Sequence, residues 1–123
     1  MLLTSRQIGE NHPCCVLVSD DVFRNQQPQN VEGLVKAHVE ATRFINQYPD
    51  EAVKIGMKYT GMDEEMVRTA MKNMNYTYKL SIDGETEYVD FLSRLEYINV
   101  PDAETFVKRF IDPGVLEKIV KKQ

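Results

Sequence analysis

This sequence predicts a mainly helical chain with one or two short strands, and three observations carry that prediction. Apolar residues recur with a helical period through most of the chain after Pro28. Pro or acidic residues open several of these periodic segments, and Gly or Pro closes them. One unbroken apolar run, Cys14-Cys15-Val16-Leu17-Val18, stands apart from that period near the start.

The apolar run is bounded by Pro13 and by Ser19-Asp20-Asp21, the pattern of a strand buried on both faces. Ser19 is placed to cap a short helix over Asp20 to Asn25, which the following Gln-Gln-Pro ends. Pro28 suits the first position of a long helix, where its missing N–H costs nothing, and Val31, Leu34, Val35, Val39, Thr42 and Ile45 share one face. Tyr48-Pro49 stops that helix, and Pro49-Asp50-Glu51 begins a second with acidic residues at the positive end of its dipole. Gly61 closes the second helix, and Asp63 caps a third whose inner face is Met66, Val67, Ala70, Met71 and Met74.

Tyr76 to Leu80 alternates and is rich in strand formers, but Asn75 and Ser-Ile-Asp-Gly shorten it to an extended connector near residue 78. A fourth major helix is expected from about Thr86 to Tyr97, with Tyr88, Phe91, Leu92 and Leu95 inward. Pro101-Asp102 starts a fifth carrying Phe106, Val107, Phe110 and Ile111, and Asp112-Pro113-Gly114 breaks it before a last short helix. A lone strand of the buried type wants neighbours to pair with, because its hidden N–H and C=O groups are otherwise costly. That requirement points to sequence outside this chain.

At 123 residues with 42% hydrophobic and 28% charged residues, the chain suits one soluble unit, residues 1–123. Within it, residues 1–19 form the leading strand region and 20–123 the helical segment. A net charge of -4 disfavours nucleic acid and anionic membrane as partners, since both require clustered Lys and Arg. The basic run Lys118 to Lys122 complements the dipole of a terminal helix instead. No run of about 18 apolar residues exists to span a bilayer. Met1 to Arg6 lacks the apolar stretch and cleavage site of a secretory signal, so the chain is expected to stay where it is made.

The densest cluster of reactive groups is Asn11-His12-Pro13-Cys14-Cys15, and imidazole with thiolate is a credible zinc or nucleophile set. Zinc takes its cysteines two to four residues apart, and consecutive strand residues point to opposite faces, so no metal site is assigned. Buried thiols acting as small hydrophobes is the expected state of Cys14 and Cys15. His38, on the apolar stripe of the long helix, is expected in the core or at its boundary, and the Met face of the third helix in the core. Asp63-Glu64-Glu65 reads as a helix start. No phosphate loop, catalytic triad order or dinucleotide fingerprint occurs, so neither enzyme chemistry nor a cofactor is expected.

Taken in order, Asn11-His-Pro-Cys-Cys-Val-Leu-Val18, Pro28, Asn46-Gln-Tyr-Pro-Asp-Glu-Ala52, Tyr59-Thr-Gly-Met-Asp-Glu-Glu65, Tyr76-Thr-Tyr78, Phe91-Leu92, Tyr97-Ile98, Phe106-Val107 and Phe110-Ile-Asp112 carry a resemblance. Across most of residues 3–119 the chain resembles the later part of solute-binding proteins of ABC importers of the nitrate, sulfonate and taurine type. The resemblance implies the C-terminal part of a two-lobed α/β fold that closes around a solute. In it, residues 14–18 would be a crossover strand and the helices would pack on a lobe this chain does not supply.

The resemblance also implies a small anion or organic solute approached by Asn11, His12 and Cys14, a permease as partner, and an extracytoplasmic parent protein. Without its sheet the chain is expected to self-associate through exposed apolar surface. Two further readings differ in class. One is a fragment of an enzyme similar to thiamine pyrimidine synthases, in which histidine and cysteine serve chemistry; the other is a small helical interaction domain using the Met-rich helix.

Overall fold

Every regular element in a computed structural model of the chain, which describes residue 7 and residues 13–121, is helical. Seven helices run along residues 13–121: α1 (Asp21–Gln26), α2 (Pro28–Gln47), α3 (Pro49–Thr60), α4 (Glu64–Lys72), α5 (Ile82–Arg94), α6 (Ala103–Phe110) and α7 (Gly114–Lys121). No strand occurs among the described residues, which overturns both the leading strand at 14–18 and the α/β architecture built on it. A strand exists only as part of a ladder, and no described segment offers its N–H and C=O groups to 14–18. Val16, Leu17 and Val18 consequently lie in solvent, 46%, 51% and 67% exposed. The second candidate, near residue 78, is held by side chains instead: Asn46 Nδ2 donates to the Tyr76 carbonyl at 3.0 Å, and the Arg43 guanidinium lies 5.5 Å from the centre of the Tyr78 ring.

The chain divides into two units, residues 21–78 and the segment up to Asp20 together with 79–123. In the first, successive helices α1 to α4 pack each on the next. Pro28 occupies the first turn of α2, as its fixed φ and missing donor favour. Val39 is fully buried, and Thr42 is buried one turn on, with its hydroxyl donating to the His38 carbonyl at 2.8 Å. The His38 side chain itself is exposed, contrary to its expected place in the core or at its boundary, because the buried stripe of α2 passes through Val39 and Thr42.

Pro49 starts α3, and Gly61 ends it in the left-handed region at φ 71°, donating its N–H to the Met57 carbonyl at 3.0 Å. Asp63 then caps α4, its Oδ1 accepting from Met66 N at 2.9 Å. Of the Met-rich face only Val67 is buried; Met66 and Met74 are exposed. The reason is proximity to α3: Val67 Cγ1 lies 2.8 Å from where a Cβ on Gly56 would stand, so the helices meet at a glycine and the Met side chains fall outside that contact. Arg68 fastens the outer edge, bonding Glu64 through Nε and Asp50 of α3 through a terminal nitrogen, both at 2.8 Å.

In the second unit α5 packs on α6. Ser81 caps α5 through Oγ, which accepts from Gly84 N at 3.2 Å, so the helix begins at Ile82 instead of near Thr86. It ends at Arg94, where Glu96 adopts φ 61°, its N–H bonds the Ser93 carbonyl and Tyr97 N–H bonds Leu92, each at 3.0 Å. This is a Schellman closure with a non-glycine residue in its left-handed position. Asp102 caps α6, accepting from Thr105 N at 3.2 Å and from the Thr105 hydroxyl at 2.7 Å. Asp112 Oδ1 accepts from Gly114 N at 3.0 Å as α7 begins. Ser19, expected to cap the short first helix, instead donates to the Asp20 carbonyl at 3.1 Å, and α1 starts at Asp21.

The buried face of α5 is Val89, while Tyr88, Phe91 and Leu95 are about half exposed. On α6, Val107 is fully buried, whereas Phe106 and Phe110 stack at 5.7 Å on an exposed side. The buried face of α5 is therefore turned relative to the expected one, whereas on α6 Val107 is buried as expected and its neighbours Phe106 and Phe110 are not.

Three expectations follow. Gly33, with no atom within 4 Å of an added Cβ, should accept alanine with a gain of about 1 kcal/mol in helix stability, whereas Gly56→Ala should lose about 1 kcal/mol net as overpacking against the stiff Val67 outweighs that gain. Denaturant melts of the two single variants check both signs, and in the Val67→Ala background the Gly56→Ala loss should vanish relative to Val67→Ala alone. Glu96→Gly should raise stability by roughly 0.5–1 kcal/mol by removing the left-handed Cβ penalty, read in the same melts.

Candidate functional site

The chemistry-bearing side chains of the leading segment are set by what its backbone does not do. Because residues 13–20 form no regular element, consecutive side chains are not sent to opposite faces as in a strand. Cys14 and Cys15 are both free and exposed, not buried as expected, and Cys15 Sγ lies 3.8 Å from Cys14 Sγ on the same side. The hydrogen bond to Cys14 holds the Cys15 thiol above its ordinary range, with the neighbouring sulfur's charge acting in the same direction. A thiol whose proton is retained in this way is a weaker nucleophile at neutral pH than an isolated cysteine.

The segment is anchored at one point by α5. Pro13 Cδ lies 3.1 Å from where a Cβ on Gly84 would stand, and Ser81 Oγ lies 2.8 Å from the same position. Gly84 thus leaves room both for the Ser81 cap and for Pro13 above the first turn. Of the three residues proposed to meet a ligand, Cys14 is the one described; Asn11 and His12 lie outside the described residues.

Elsewhere the described residues bring together no group of three His, Cys, Asp or Glu able to hold a metal ion. Ser93, Glu96, Tyr97, Ile98 and Asn99 line a shallow groove after α5 that opens broadly to solvent. It was not legible in the sequence, since it arises from the left-handed turn at Glu96. It brings a carboxylate, two hydroxyls and an amide near one another, with neither histidine nor cysteine among its lining residues. The acidic start of α4 is used structurally, by the Asp63 cap and the Glu64–Arg68 pair.

The model of the NMT1-like family matches residues 1–58, a little under half of the chain. That family is of the periplasmic-binding-protein-like, nitrate, sulfonate and taurine type. The matched span takes in Cys14 and Cys15, α1, α2 and most of α3. No curated protein and no solved structure matches the chain. No helix among the described residues is long and apolar enough to cross a membrane.

Since Cys14 is the main cause of the raised Cys15 thiol, Cys14→Ala should move the pH profile of Cys15 alkylation to lower pH and speed the reaction at neutral pH. Peptide mapping after timed iodoacetamide treatment across a pH series measures it; an unchanged profile contradicts the coupling.

Proposed function

We propose that this chain is a non-catalytic helical part of the solute-binding component of an importer of the nitrate, sulfonate and taurine type. The observation that carries the reading is the NMT1-like match over residues 1–58, which includes the exposed segment bearing Cys14. On this reading Asn11, His12 and Cys14 are the residues nearest a small anion or organic solute. The chain belongs to a parent that works outside the membrane, and an ABC permease receives the solute. The chain itself contributes helical support and little selectivity.

Its second property is self-association. The described core consists of Val39, Ala52, Val53, Val67, Val89, Val107 and Ile119, while Tyr59, Tyr97, Phe110 and Val18 are more than half exposed. Surface of that composition favours association in water. The exposed thiol pair also supports a second reading, an enzyme similar to thiamine pyrimidine synthases. The two separate on one substitution: His12→Ala abolishes formation of the pyrimidine precursor only if the enzyme reading holds.

Disrupting the gene in its host and measuring uptake of labelled nitrate, taurine and an alkanesulfonate tests the transport reading. Loss of uptake of one solute is expected, and unchanged uptake of all three overturns it. Light scattering of the isolated chain at tens of micromolar should give a mass above that of one copy, with calorimetry showing no micromolar affinity for these solutes. A clean monomer contradicts the association.

A further inference from the structure

Two neighbouring thiols can be joined in two ways, and their geometry distinguishes them. A direct disulfide prefers Cα atoms about 4.4–6.8 Å apart, but consecutive residues across a trans peptide are held at about 3.8 Å, so a Cys14–Cys15 disulfide is strained and easily reduced. A bridge through one shared atom makes a different demand. Two sulfurs bound at about 2.3 Å to a common tetrahedral centre stand roughly 3.8 Å apart. The Cys14 and Cys15 sulfurs are 3.8 Å apart before anything joins them.

The coordination number of the bridging atom decides its class. Structural zinc takes four ligands, and the described residues supply no third His, Cys, Asp or Glu beside the pair. A monosubstituted trivalent arsenical needs only two, because its third valence is already filled by carbon. Its pyramidal arsenic draws the sulfurs slightly closer than a tetrahedral centre does, a movement open to an exposed segment without a hydrogen-bonded ladder. Val16, Leu17 and Val18, exposed beside the pair, supply apolar surface for the organic substituent.

We infer that Cys14 and Cys15 form a two-sulfur chelating site for organoarsenicals of trivalent arsenic. In the reaction R–As=O condenses with both thiols. Two As–S bonds form, the two S–H bonds and the As=O bond break, and the oxygen leaves as water with the two thiol protons. Arsenic stays trivalent and sulfur stays at the thiol level, so neither oxidant nor reductant takes part.

The test uses the full chain with equimolar phenylarsine oxide, read by intact mass. One adduct per chain with loss of one water is expected. It should survive a large excess of 2-mercaptoethanol and be stripped by 2,3-dimercaptopropanol. Cys14→Ser and Cys15→Ser should each weaken retention by at least about 100-fold, the loss that follows when the second attachment is no longer intramolecular. The inference is overturned if the wild-type chain takes no adduct or two independent ones, if 2-mercaptoethanol strips it freely, or if either single variant retains the arsenical as the wild type does.

Discussion

The interaction on which the rest of this structure depends is close contact between helices through small aliphatic side chains. Val39 and Val107 are fully buried, and Val53, Val67, Val89, Ala52 and Ile119 complete the described core. Small side chains let helix backbones approach, as where Val67 reaches Gly56, but each buries little apolar area. Phenylalanine, tyrosine and methionine, which would bury more, stand at the margins of these contacts. The hydrophobic driving force is thus only partly used within the chain.

The local devices compensate at helix ends more than in the core. Asp63, Ser81 and Asp102 each satisfy an otherwise unpaired N–H of a first turn. Arg68 ties α3 to α4 across an exposed edge, where ion pairs add little stability but fix register. The caps define where α4, α5 and α6 begin. They do not cover the apolar surface left outside, where Tyr59, Tyr97 and Phe110 are more than half exposed.

The same incompleteness shapes the leading segment. Residues 14–18 have the composition of a buried strand, yet they are exposed and unpaired. Freed from the alternation of a strand, the two cysteines present their sulfurs together, a placement that a ladder would have forbidden. Whatever these thiols do follows from a backbone without a partner, not from a pocket closing around them.

From the sequence alone came the helical class, the starts at Pro28 and Pro49, the left-handed stop at Gly61 and the Asp63 cap, because proline, glycine and short acidic side chains act within one turn of their own backbone. Similarity to the NMT1-like family was legible too, in the order of segments from Asn11 to Ala52, which lie within the matched residues 1–58. Tertiary structure decided which stripe of each helix is buried, the exposure of His38, Met66 and the thiols, and the absence of a strand at 14–18. Periodicity shows that a helix has an apolar side but not which few degrees of it will meet a neighbour. Strand propensity, likewise, becomes a strand only when another backbone supplies its hydrogen bonds.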